Sequence, residues 1–155
     1  MRFALACLPT LTIAACGARP IPNTEVEDTP DNRAVIEFCE RYRLAIEAVD
    51  VPLIVSLAAD DYYEPGNPTT GEDDYDRGGL EEVLRTRFAR VDAIRYDILY
   101  RRIHHGPDRV EVLYTYHGRF QVTRGDQDPV WHSKVGDNRL VLVRTPAGFR
   151  ISGGM

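Results

Sequence analysis

The chain has 155 residues, a net charge of −5 and 43% hydrophobic residues. That length suffices for one domain with its own core, and an acidic chain with no basic run argues against nucleic acid or anionic lipid as partner. Three cysteines, Cys7, Cys16 and Cys39, give no disulfide framework to replace a core. Lys134, the one lysine, reads as compositional bias rather than function.

At the N-terminus, Met1-Arg2-Phe3 is a short positive start, and Phe3 to Ala15 carries no charge. The run is shorter than the roughly 20 residues of a spanning helix and has the length of a secretory signal's apolar segment. Leu11-Thr12-Ile13-Ala14-Ala15-Cys16 resembles the bacterial lipobox, an aliphatic residue and two small ones before a cysteine. The resemblance implies that residues 1–15 are a signal peptide and that Cys16 carries lipid, palmitate among its chains. Two or more acyl chains anchor stably where one, at about 0.8 kcal/mol per buried CH₂, does not. The implied place is a bacterial envelope, with Gly17 rather than Asp favouring the outer membrane. Residues 16–29, with Pro20, Pro22 and three acidic residues, are expected to be the lipidated cysteine and a flexible tether.

Residues 30–155 then form the expected domain. Thr29 or Asp31 caps a first helix with Pro30 in its first turn, and Val35, Phe38, Cys39, Tyr42, Ala45, Ile46 and Val49 follow at helical spacing. Asp50 caps a second, short helix that turns Leu53, Ile54 and Leu57 inward. Pro65-Gly66-Asn67-Pro68 is a turn, residues 67–78 an acidic loop, and Gly79 to Val91 a third helix. After residue 92 the period becomes two. Ile94, Tyr96, Ile98 and Tyr100 alternate with Arg95, Asp97, Leu99 and Arg101. After a turn at His105–Asp108, Val110, Val112, Tyr114, Tyr116, Phe120 and Val122 alternate with mostly polar residues. A third strand runs from Val130 to Val143 with a kink expected at Gly136-Asp137-Asn138, and Phe149-Arg150-Ile151 is the last. Helices followed by an antiparallel meander is an α+β layout, helices on one face of a curved sheet.

This order, the long second strand and the Phe149–Ile151 ending resemble the nuclear-transport-factor-2-like (NTF2-like) superfamily, the cystatin-like cone shared with ketosteroid isomerase. Asp61-Tyr62-Tyr63-Glu64, Asp73-Asp74-Tyr75-Asp76, Ile94 to Arg102 and the Gly154-Met155 ending resemble bacterial NTF2-like lipoproteins of unknown function. The resemblance implies the fold and no single activity, because the superfamily includes isomerases, dehydratases and non-catalytic binders.

The candidate site follows from the alternation. Tyr96, Tyr100, Tyr114 and Tyr116 are expected inside the cone with Phe38 and Tyr42, and Tyr62 is expected to close one end. Trp131, placed on the face of Tyr114 and Tyr116, joins the lining and leaves His132 outward with His117. Such a lining suits an apolar small molecule with one or two hydrogen-bonding groups, so a non-catalytic binding or protein-interaction module is expected, with a structural or assembly subunit whose cone is filled by side chains as an alternative. An isomerase-type reaction needs a carboxylate base opposed by an oxyanion donor; Asp61 is the one candidate, with a Tyr as donor. The acidic residues from Asp60 to Asp76 read as caps and turns rather than a Ca²⁺ loop, and the four histidines do not converge as metal ligands. No cofactor is implied. Leu99 and Leu113 would lie on the outer face, where a homodimer contact would cover them.

Overall fold

The structure is a computed structural model that describes residues 19–66 and 73–155; the expected signal peptide, Cys16 and the first half of the acidic loop lie outside the described residues. Three helices, α1 (Pro30–Glu47), α2 (Val51–Leu57) and α3 (Arg77–Phe88), pack on a four-stranded antiparallel sheet of β3 (Ala93–His105), β4 (Arg109–Val122), β5 (Val130–Thr145) and β6 (Gly148–Gly153) in that spatial order. A two-stranded ribbon, β1 (Tyr63–Glu64) with β2 (Tyr75–Asp76), joins α2 to α3. No helix among the described residues is long and apolar enough to cross a membrane. The layout is the α+β one expected.

The helices begin where their side chains supply caps. Thr29 Oγ1 accepts from the Asn32 N–H at 3.2 Å, Asp50 from Leu53 at 3.0 Å and Asp76 from Gly79 at 3.0 Å. The cap at Asp76 starts α3 at Arg77, two residues earlier than the apolar spacing implied, and the helix ends at Phe88 rather than Val91. Helix α1 ends at Glu47, and Val49 falls just beyond it in a left-handed conformation, with its N–H on the Ile46 carbonyl. In α2 the buried positions are Val51, Ile54 and Leu57, three residues apart; Leu53, expected inward, is 41% exposed because it falls off that stripe.

Within the sheet, Ile94, Tyr96, Tyr100, Val110, Val112, Tyr114, Leu140, Leu142 and Ile151 are buried against the α1 stripe of Val35, Phe38, Cys39, Tyr42, Ala45 and Ile46. The register pairs Ile98 with Tyr116 and Tyr100 with Tyr114, so all four tyrosines face the helices. A slip of one residue would bury Arg95, Asp97 and Glu111 instead. Beyond Tyr100 the pairing shifts by one residue, and Arg101 bulges out. Its guanidinium reaches Thr115 Oγ1 at 3.1 Å and pairs with Glu25. The bulge turns Ile103 and His105 toward the helices, opposite Val112 and Val110.

Two expectations for the third strand are corrected. There is no break at 136–138: β5 pairs with β4 without interruption from Val130 to Val143. Parity is therefore constant along it, and Trp131 stands opposite Gln121 on the outer face, 45% exposed, while His132 stands opposite Phe120 on the inner face. Trp131 does not line the cone. It shares the outer face with exposed Leu113 and Val135, where the dimer contact was expected.

The tether expectation is corrected too, from Arg19 onward. Residues 20–27 fold back as a strap, with a bridge between Pro20 and Glu27 and the Ile21 N–H on the Val26 carbonyl at 2.8 Å. Val26 is buried, and the Glu25 N–H donates to the Tyr100 carbonyl at 2.9 Å. One buried valine and an open strand edge suffice to dock a segment whose composition suggested a coil.

Candidate functional site

The sheet is wider than its cover. At one end, α1, the strap and the β3–β4 hairpin close over it. Asn32 bonds the Glu27 carbonyl and, through Oδ1, His105 Nε2 at 2.7 Å, while Arg144 Nη2 stands 2.9 Å from His105 Nδ1. Phe38 packs on Phe149 with ring centroids 5.9 Å apart. At the other end a cavity of about 290 Å³ remains between α1, α3 and the sheet. Tyr42 and Ile46 line it from α1, Leu84, Arg87 and Phe88 from α3, Val91 from the following turn, and Tyr96, Tyr116, Phe120, Lys134 and Asn138 from the sheet, with Met155 beside them. Its size falls at the lower end of small-molecule sites, about 300–1,000 Å³.

Two glycines make room for its aromatic floor. A Cβ on Gly118 would meet the Phe120 ring at 2.7 Å, and one on Gly136 would meet the Tyr116 hydroxyl at 3.0 Å. With hydrogens there, Tyr116 lies stacked on Tyr96, centroids 5.5 Å apart at 21°. Behind them Asn138 Nδ2 bonds the Tyr114 hydroxyl at 3.1 Å and the Gly154 carbonyl at 3.3 Å. The C-terminal tail is tied down further: Glu64 Oε2 accepts from the Gly154 N–H at 2.6 Å and from the Tyr62 hydroxyl at 3.2 Å. Met155 is thereby held at the cavity wall, with its carbonyl accepting from the Tyr75 hydroxyl at 3.4 Å.

Burial controls the phenols. It pushes the Tyr96 hydroxyl up to about 12, and it raises Tyr42 and Tyr114 further, with neighbouring phenols adding to the effect. These groups stay protonated across any physiological range and act as donors of hydrogen bonds. Cys39, whose thiol burial also raises, is enclosed in the core.

The expected site residues therefore separate. Tyr42, Tyr96 and Tyr116 come together at the cavity. Phe38 and Tyr100 belong to the closed end, where the Tyr100 hydroxyl bonds Glu40 at 2.8 Å. Tyr114 is buried beneath the cavity, and Tyr62 is buried beside the tail while Tyr63 is exposed and bonds Asp74. Asp61 is exposed and lines a different cleft with Tyr63, Glu64, Arg109 and Arg139; it is not brought to the cone tyrosines. The acidic residues act locally: Asp76 caps α3, Asp74 accepts from the Gly66 N–H at 2.7 Å, and Asp60 pairs with Arg77 at 3.2 Å. Missed by sequence reasoning were Leu84, Arg87, Lys134, Asn138 and Met155 as lining. Counting even positions back from Leu140 along β5 would have found Asn138 and Lys134.

No family model matches the chain, and no curated protein matches it significantly. Solved structures do. A protein from Kribbella flavida superposes with a TM-score of 0.66 at 20% identity, over 80% of this chain and 87% of that one. A ketosteroid isomerase-like protein from Erwinia carotovora atroseptica gives 0.63 at 15%, over 82% and 95%. An NTF2-like protein with a cystatin-like fold from Novosphingobium aromaticivorans gives 0.60 at 18%, over 80% and 79%. The fold of this chain is thus the NTF2-like fold.

Proposed function

We propose that the protein is a lipid-anchored envelope protein whose open-ended cone binds a small apolar molecule without transforming it. The cavity of about 290 Å³ carries the reading. Its lining is aromatic and aliphatic with a few polar groups at the rim, the composition of small-molecule sites. Against catalysis of the isomerase type, the lining has phenol donors held protonated by burial but no Asp, Glu or His side chain to move a proton. The isomerase name of one neighbour belongs to that neighbour.

Anchoring through Cys16 would fix the orientation. Only Gly17 and Ala18 separate Cys16 from Arg19, a reach of about 10 Å at 3.3–3.6 Å per residue. Arg19 joins the strap beside Asp28, at the His105 end of the cone. The membrane would face that closed end, and the cavity would open toward the aqueous side.

Two experiments test the reading. An uncharged probe, 2-naphthylmethanol, titrated by fluorescence should bind the wild type and lose binding in Val91→Trp, which fills the mouth; equal binding by the variant would move the site elsewhere. Cys16→Ser should lose both palmitate label and membrane fractionation. Label retained in that variant would overturn the anchor and leave the cavity reading standing.

A further inference from the structure

The charged side chains of the cavity are of one sign. Arg87 and Lys134 are among its twelve lining residues, and none is Asp or Glu. Six arginines, Arg33, Arg43, Arg77, Arg85, Arg101 and Arg139, pair with a carboxylate, and ten others outside the cavity do not among the described residues. Arg87 and Lys134 form no such pair among the described residues, in a chain with 24 acidic residues against 19 Lys and Arg. Both rest on aromatic faces instead. The Arg87 guanidinium lies 5.6 Å over the Tyr75 ring and donates to its hydroxyl at 3.3 Å; the Lys134 ammonium lies 6.0 Å over the Tyr116 ring. A ring face orients a cation without cancelling its charge, so both keep a full charge for a further partner. Met155 also lines the cavity, and its carbonyl accepts from the Tyr75 hydroxyl at 3.4 Å, the same hydroxyl to which Arg87 donates.

The remaining polar groups point the same way. Tyr96 and Tyr116 present hydroxyls, and ammonium and guanidinium have no acceptor. The Asn138 amide nitrogen is engaged with Tyr114 and Gly154. The rim offers donors, and a carboxylate is an acceptor with two oxygens. Accepting the cavity as a binding site, on which this step rests, we propose that its ligand is an amphipathic organic carboxylate. The apolar body sits among Leu84, Phe88, Tyr96 and Phe120, and the carboxylate turns to Lys134 and Arg87. Lys134 is thereby a specificity residue rather than a trace of composition.

The test compares 2-naphthoate with 2-naphthylmethanol, which share the ring and differ in charge. Calorimetric titration at low salt should give the carboxylate an affinity about tenfold higher, a preference worth about 1.4 kcal/mol that shrinks as ionic strength rises. Lys134→Gln should weaken naphthoate several-fold more than it weakens the alcohol, and Lys134→Arg should restore the difference. Circular dichroism checks that the variants fold. Equal affinities for the two probes in the wild type would overturn the charge inference and leave the cavity reading intact. Binding of neither probe would overturn both.

Discussion

The two ends of the sheet are built from the same strands with the same alternation, yet the core is closely packed at one and borders a cavity at the other. At the closed end Val35, Phe38, Val110, Val112, Leu140 and Leu142 are almost wholly buried. At the open end Phe88, Val91, Tyr116 and Phe120 are half-buried, and Lys134 is exposed. The difference lies in cover. Helix α1 has 18 residues, about 27 Å at 1.5 Å per residue, whereas β5 has 16, about 50 Å at 3.3 Å per residue. Alternation decides which face is apolar; the length of what covers it decides where a pocket is left.

Core substitutions should expose this contrast most strongly. Phe38→Ala, at the closed end, should cost about 3–5 kcal/mol in denaturant unfolding. Phe120→Ala, at the open end, should cost under half as much, because its ring already borders a void. Equal costs would mean that the open end is packed like the closed one. Tyr62→Phe tests the tether of the tail next. It should cost about 1 kcal/mol, the net worth of one hydrogen bond, whereas Tyr63→Phe on the exposed ring should change stability by less than about 0.5 kcal/mol. A reversed order would place the tail's anchor on the wrong tyrosine.

How far these ends were legible in the sequence depends on where parity holds. From Ile94 to Tyr100, and along Val110 to Tyr116, strict alternation gave the inner face correctly, as it does wherever a slip would bury charge. At Arg101 a bulge with no mark in the sequence changed the parity, and Ile103 and His105 went inward unforeseen. In β5 the fault was different. Asn138 and Lys134 are polar residues at inner positions, so the apolar pattern faded; an interruption was expected at 136–138 where the pairing is continuous, and Trp131 was placed on the wrong face. Those two residues line the cavity, and cavities are where the apolar pattern is expected to fail. The strap was illegible because Val26 is its one fully buried side chain.

A pH titration sharpens the open end further. Glu47 leaves α1 there and, against the desolvation that would raise it, is held below the ordinary carboxylate range by the Tyr96 N–H at 2.9 Å and by Arg43 at 2.7 Å. A depressed folded value means stability that is present above about pH 4.3, the unfolded value, and is lost as pH falls through the folded one. Glu47→Gln should flatten that acid limb of the stability curve; an unchanged slope would show the contact is not made in solution. The smallest effect is expected from Lys134→Gln, within about 0.5 kcal/mol in stability, since its charge serves a ligand rather than the fold.

Amide chemical-shift mapping with 2-naphthoate tests the central claim most directly. Perturbations should gather on Leu84, Phe88, Val91, Tyr96, Tyr116, Phe120 and Lys134 and leave Asn32, Phe38 and His105 at the closed end unmoved. Shifts centred on the outer face around Leu113, Trp131 and Val135, or on the Asp61 cleft, would contradict it.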